Sequence, residues 1–209
     1  MPTPDIVNEN RHLFQEYVRS AHAILSTLLN SVGDCLQLPP AMLANIHRIS
    51  AVGTDQVRLT RTKPPHTEHG GIPEHRDASS MTLLFNKQSG LQILPPGASS
   101  QWCYVRPISH HAIVNLGDAM VTFTNGLLRS NPHRVVAPYG SEVEQTRYSL
   151  VYFMRPENTA MMKRLEGSEM IPNLAEDEVE REITAEEWVN ERFKEILAGN
   201  GVVMDSKHR

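Results

Sequence analysis

Two short stretches hold the residues with which this chain could do chemistry: residues 74–77, Glu-His-Arg-Asp, and residues 130–134, Ser-Asn-Pro-His-Arg. In an extended strand, side chains at i and i+2 share a face. His75 and Asp77 therefore point one way and Arg76 the other, and His133 arrives from a distant strand. Two imidazoles and a carboxylate on one side of a metal leave three coordination positions open, the facial arrangement used by non-haem Fe(II) sites. The same donor types also make a catalytic zinc site with an open position, so the donor set alone leaves oxygen chemistry and hydrolysis both open. Further on, Arg147 and Ser149 form another i, i+2 pair. A guanidinium with a hydroxyl beside it suits an organic carboxylate, which it can grip with two parallel hydrogen bonds.

A turn at residues 139–141, Tyr-Gly-Ser, predicts a hairpin centred near Gly140. In that register His133 lies opposite Arg147, and Ser149 follows on the same face. Pro132 is compatible with a strand start or edge. A local competitor, His66-Thr67-Glu68 with His69, sits in a Pro/Gly loop with no adjoining strand to fix it. His110 and His111 read as ordinary surface histidines.

These residues need a scaffold. Apolar spacing predicts a helix beginning at Thr3-Pro4-Asp5 and running to about Val32, with Gly33 ending it. A shorter helix follows Pro39-Pro40, with His47 and Arg48 near its C-terminal end, where positive charge is favoured. From residue 57 the texture changes to short strands at 57–62, 80–85, 91–94, 102–105, 112–116, 120–123, 134–137 and 147–154, divided by Gly/Pro/Asn turns. Many short strands so divided predict a sandwich or barrel. After Pro156 the chain turns acidic and helical: Thr184 and Glu187 form a capping box, Ile183 and Trp188 stand at staple positions, the helix runs on to Gly199, and the last ten residues read as frayed.

At 209 residues, 40% hydrophobic and 21% charged, the chain is long enough for one domain with a helical appendage. A net charge of −4 without a basic stripe argues against nucleic acid as a partner. No apolar run has the length of a membrane span, and the polar, acidic N-terminus does not read as a secretory signal. Cys35 and Cys103 are therefore expected as reduced thiols in a cytoplasmic protein. Oligomeric state is not legible.

Taken in order, the His75-Arg76-Asp77 segment with Ala78 to Phe85, then Gly90-Leu91-Gln92-Ile93, Trp102, Val114-Asn115-Leu116-Gly117-Asp118, Thr124-Asn125-Gly126, the 130–135 segment and Arg147-Tyr148-Ser149 resemble the catalytic domain of the isopenicillin N synthase-like 2-oxoglutarate/Fe(II) dioxygenases. The likeness spans residues 57–156, and the flanking helices look like those of fungal members. It implies a mainly β fold with flanking helices, a double-stranded β-helix or distorted jelly roll, in residues 51–158, between a helical segment (1–50) and a helical extension (159–209). It implies Fe(II) held by His75, Asp77 and His133, 2-oxoglutarate held through its distal carboxylate by Arg147 and Ser149, and dioxygen as the oxidant. The implied activity is oxidation of a small organic molecule by hydroxylation, desaturation or ring closure, coupled to succinate formation, in secondary metabolism. Two variants of that reading stand beside it: a non-catalytic descendant that binds metal or a small acid, and a synthase-like oxidase without 2-oxoglutarate, whose Arg and Ser hold the substrate. The chain departs from the family pattern in two ways. A tyrosine usual before the His-x-Asp loop is replaced by a neighbourhood containing Thr60 and Thr62, and an upstream domain of about a hundred residues, a small-domain size, is expected and not seen.

Overall fold

The computed structural model describes residues 4–64, 71–97 and 100–197. The loop competitor at residues 66–69, the Thr3 cap, Gly199 and the last ten residues lie outside them. The N-terminal apolar stripe forms two helices rather than one, α1 (Asp5–Glu9) and α2 (Arg11–Cys35). Between them Asn10 leaves helical geometry, at φ −110° and ψ 25°, and its side-chain amide donates to Ile6 O at 2.8 Å. Gly33 does not end α2. The helix stops at Cys35, and Gln37 takes the left-handed φ of 54° while Leu38 N–H closes onto Gly33 O at 2.9 Å. The chain thus uses a non-glycine residue for a left-handed exit, which spacing and glycine content do not reveal. Ala21, Leu25 and Leu29 form the buried stripe of α2.

The short helix α3 (Met42–Asn45) precedes His47. That histidine is not a solvated charge beside a helix end, as its position predicts. It is buried, donates from Nδ1 to Leu43 O at 2.6 Å, and accepts at Nε2 from the Ser80 hydroxyl at 2.6 Å. Burial, which penalises the charged form first and foremost, pulls its pKa down to about 4.

Eight strands follow: β1 (Gln56–Thr62), β2 (Ile72–His75), β3 (Met81–Asn86), β4 (Leu91–Ile93), β5 (Cys103–Tyr104), β6 (Ile113–Leu116), β7 (His133–Val135) and β8 (Arg147–Met154). They form two antiparallel four-stranded sheets, a larger one in the order β1-β8-β3-β6 and a smaller one in the order β2-β7-β4-β5. This is the jelly roll that the sequence predicts. Helix α2 and the C-terminal α5 (Ala185–Leu197) contribute to one continuous core with the larger sheet, built from Leu25, Leu29, Leu83, Tyr152, Met154 and Trp188 among others. The capping box at α5 forms: Thr184 N–H and its hydroxyl both donate to the Glu187 carboxylate, at 2.8 and 2.9 Å.

Two further expectations fail. Residues 120–123 are not a strand but lie in α4 (Asp118–Phe123). Ala119, Met120, Val121 and Phe123 are all buried, and a short run that is apolar on every side carries no period from which to tell helix from strand. The hairpin at Gly140 does not form either. Gly140–Glu144 is a 3-10 helix that carries the chain from one sheet to the other, so β7 pairs with β2 and β4 while β8 pairs with β1 and β3. The Glu142 carboxylate accepts from the Ser89 N–H and hydroxyl at 2.7 and 2.6 Å, which anchors this crossing. A tight hairpin would have placed β7 and β8 in one sheet; the crossing lets each sheet cover the other's apolar inner face.

No helix among the described residues is long and apolar enough to cross a membrane. Cys35 and Cys103 are free and exposed.

Candidate metal and cosubstrate site

His75 ends β2, and His133 begins β7 directly opposite it. The two rings face each other with centroids 4.2 Å apart. Asp77 lies just past β2, where the chain leaves the small sheet. One ligand atom from each of His75, Asp77 and His133 lies within 4.8 Å of the others. Each histidine donates from Nδ1 to a carbonyl two residues back, His75 to Pro73 O at 2.8 Å and His133 to Asn131 O at 3.1 Å. A carbonyl can only accept, so Nδ1 carries a proton in each ring and Nε2 is the nitrogen left to ligate. Those Nε2 atoms lie 3.8 and 3.6 Å from the same oxygen of Asp77, Oδ1. Burial, with the neighbouring His133 second, lowers the pKa of His75 and favours its neutral, ligating form.

The other Asp77 oxygen, Oδ2, accepts from the Thr82 hydroxyl at 3.2 Å and the Asn115 amide at 3.1 Å. Both donors belong to the larger sheet, so Asp77 joins the two sheets. Its backbone carbonyl is held at 2.8 Å by the N–H of Asp118, the first residue of α4. Close behind, Arg155 donates from Nε to Ala78 O at 2.7 Å. Gly117 is needed here for room: a Cβ on it would lie 2.1 Å from Ser79 O and 2.6 Å from Asp77 O.

All five residues singled out from the sequence line one cavity of about 250 Å³, at the small end for a ligand site. Arg147 and Ser149 project into it from β8, across the gap between the sheets from the histidines rather than beside His133 on a shared sheet. Arg147 is almost fully buried, and its Nε donates to Ser89 O at 3.0 Å. Burial lowers its pKa, though a guanidinium starts so high that it stays charged. Thr60 is opposite Ser149 on β1 and also lines the cavity, whereas Thr62, opposite Arg147, is not among the lining residues. Of the two threonines in the neighbourhood that replaces the family's tyrosine, Thr60 is therefore the one whose hydroxyl is at the cavity.

Sequence reasoning missed Thr82 as a carboxylate donor, Asn115 as its partner, and Arg58, which enters the cavity from β1. Asn115 left a faint signal, a polar residue between Val114 and Leu116 in an apolar strand.

The chain matches the 2OG-Fe(II) oxygenase superfamily over residues 41–156. It is 32% identical over 193 residues to 2-oxoglutarate-dependent dioxygenase iboH of Amanita muscaria, covering 91% of this chain and 87% of that protein. The chain belongs to the 2OG-Fe(II) oxygenase superfamily. A second dioxygenase of this superfamily, gloE of Glarea lozoyensis, is 32% identical over 200 residues, covering 94% of this chain and 56% of its own. Among solved structures, a full-length Neurospora crassa protein crystallised in complex with alpha-KG superposes with a TM-score of 0.75 at 20% identity, over 92% of this chain and 59% of that one. At that identity the likeness establishes the jelly-roll fold alone. The chain spans nearly all of one curated relative and about half of several others. Fe(II) and 2-oxoglutarate are the metal and cosubstrate of this superfamily. The donor set fits such a metal: two imidazoles whose Nδ1 atoms are tied to carbonyls, leaving Nε2 to ligate, and one buried carboxylate with a free oxygen, all turned to one point.

Proposed function

We propose that this chain is a cytoplasmic 2-oxoglutarate-dependent dioxygenase that oxidises a small organic molecule in secondary metabolism, without a nucleic-acid or membrane partner. In this reading His75, Asp77 and His133 hold Fe(II), and Arg147 and Ser149 hold the distal carboxylate of 2-oxoglutarate. The observation that supports it most is the convergence of two histidine Nε2 atoms and one Asp77 oxygen on the wall of the cavity that also contains Arg147.

The side chains divide the work. Pro73 and Asn131 carbonyls orient the two rings through Nδ1 and turn each Nε2 to the metal position. Thr82 and Asn115 occupy one Asp77 oxygen and leave the other for the metal. Arg147 offers a buried cation at the end of the cavity, with Ser149 as a neighbouring hydroxyl. Apolar Leu84, Leu91, Ile93 and Val151 line the space between and limit water. Bound iron supplies dioxygen activation coupled to decarboxylation of the cosubstrate.

The test is an anaerobic titration of the protein with Fe(II) and then 2-oxoglutarate, following the visible charge-transfer absorption of a chelated 2-oxo acid. A band that saturates with one iron per chain is the expected result. Absence of the band in a protein that has taken up iron would refute the 2-oxoglutarate assignment while leaving the metal assignment standing.

A further inference from the structure

The inner face of the larger sheet is laid out in rungs. Arg147 faces Thr62; Ser149 faces Thr60 and Asn86; Val151 faces Arg58 and Leu84; Phe153 faces Gln56 and Thr82. Thr82 in turn faces Asn115, and both donate to Asp77, so the candidate metal site stands on the last of these rungs. Arg58 is one rung away, on the same face as Thr60, and it lines the cavity. Its guanidinium carbon lies 5.1 Å from the centroid of the Phe153 ring, so the side chain leans towards the metal rung.

Arg58 has no carboxylate partner within ion-pair distance among the described residues. Among the described residues Asp77 is the one acid lining the cavity; its Oδ1 faces the two histidines and its Oδ2 is held by Thr82 and Asn115. The cavity thus holds two cations that point apart. Arg147 is tied to Ser89 O at one end, and Arg58 rests on Phe153 at the other. Along the strand direction they are offset by four residues, about 13 Å. With one carboxylate at Arg147 and its other end turned to the metal rung, 2-oxoglutarate has no anionic group left for Arg58. Beside Phe153, the cavity walls include the apolar side chains of Val105, Ile113 and Val114.

We infer that the substrate oxidised at this site is a small organic acid whose carboxylate is gripped by Arg58, with an apolar body lying between Phe153 and the Ile113 edge. This rests on the reading of the metal and cosubstrate sites given above. A carboxylate beside a guanidinium in an apolar cleft gains a charge-assisted, two-point contact. Held there, its carbon chain reaches the rung of Asp77.

The experiment uses the full chain loaded anaerobically with Fe(II) and 2-oxoglutarate. Short-chain and aryl-substituted monocarboxylates, each paired with its primary amide, are titrated in by calorimetry. At least one acid is expected to bind about tenfold or more tightly than its amide, the size of a charged hydrogen bond. Arg58→Gln should abolish that preference and Arg58→Lys should keep part of it, with the 2-oxoglutarate absorption unaltered in both. Amides binding as well as acids, a preference that survives Arg58→Gln, or a loaded protein that binds no acid of the panel would each overturn the proposal. Loss of the 2-oxoglutarate band on Arg58→Gln would overturn it too, by assigning Arg58 to the cosubstrate. A wild-type protein that never develops the band fails at the underlying reading instead.

Discussion

Asp77 uses its two oxygens for different ends, and the residues that enforce this are as consequential as the ligands. Asn115→Leu and Thr82→Val should each leave the fold intact and weaken Fe(II) binding by about tenfold or more, the usual cost of removing a partner that orients a ligand. Competition against a coloured chelator reads this directly; an unchanged affinity in both variants would remove the assigned role. His75→Ala and His133→Ala should lose iron stoichiometry altogether, and full stoichiometry in both would sink the triad. Arg147→Lys keeps a charge but loses the planar fork, and should weaken 2-oxoglutarate binding by about 1.5–3 kcal/mol. If the cosubstrate binds as before and the oxidised substrate binds worse, Arg147 grips the substrate in the synthase-like manner. That His75, Asp77 and His133 would gather at one point was legible in the sequence, as was the pairing of Arg147 with Ser149, because residue type and i, i+2 spacing are local signals. Thr82, Asn115 and Arg58 were not, since their roles follow from strand pairings between segments far apart in the chain.

At the scale of elements, the loop-to-helix junction at α4 fixes Asp77 through backbone contacts. Gly117→Ala forces a methyl against Ser79 O and Asp77 O. The expected cost is about 1–3 kcal/mol of stability, as for an overpacked core, together with weaker metal binding; a variant with wild-type melting and metal affinity would show that the junction yields freely. His47 ties the segment after α3 to the residue before β3. Its folded-state pKa of about 4 lies below the unfolded value of 6.5. Below 6.5 the unfolded chain therefore binds a proton that the folded chain excludes, and stability falls as pH drops through this window, by about 3 kcal/mol once pH is below 4. His47→Gln should flatten that slope in urea unfolding across the same range, and an identical slope would place the acid sensitivity elsewhere. The capping box of α5 was readable because its signal spans four residues. The end of α2 was misread because a glycine signal pointed to Gly33 while Gln37 supplies the turn. The helix at α4 was misread because its apolar run lacks a period.

For the whole molecule, the two histidines belong to the smaller sheet while Asp77 is pinned to the larger, so a bound ion ties the layers together. Saturating Mn(II), at a hundredfold over its dissociation constant, should raise stability by about 2.7 kcal/mol, seen as a higher melting temperature that EDTA reverses; no shift at saturation would contradict the bridging geometry. On the outer side, Leu59, Phe85, Ile108 and Tyr148 line one exposed groove. Exposed apolar surface of this kind favours self-association, and Leu59→Glu with Phe85→Lys should lower the sedimentation coefficient at high protein concentration; an unchanged coefficient would show that this groove does not associate. The jelly roll as a class was legible from the count and spacing of strands, but which strand joins which sheet was not, because that is decided by inter-sheet packing and by the Glu142–Ser89 anchor.

The crossing at residues 140–144 has a consequence for how such a chain can change over evolutionary time. By routing β7 and β8 into separate layers, it puts the imidazoles on one inheritable surface and Arg58, Thr60, Arg147 and Ser149 on another. Mutations that accumulate on β1 can remodel which molecules are admitted while the imidazole pair stays as it is. A lineage could thus exchange its substrates without rebuilding either the imidazole pair or the Arg147-Ser149 end of β8, which makes β1 the strand to randomise when a new specificity is sought by selection.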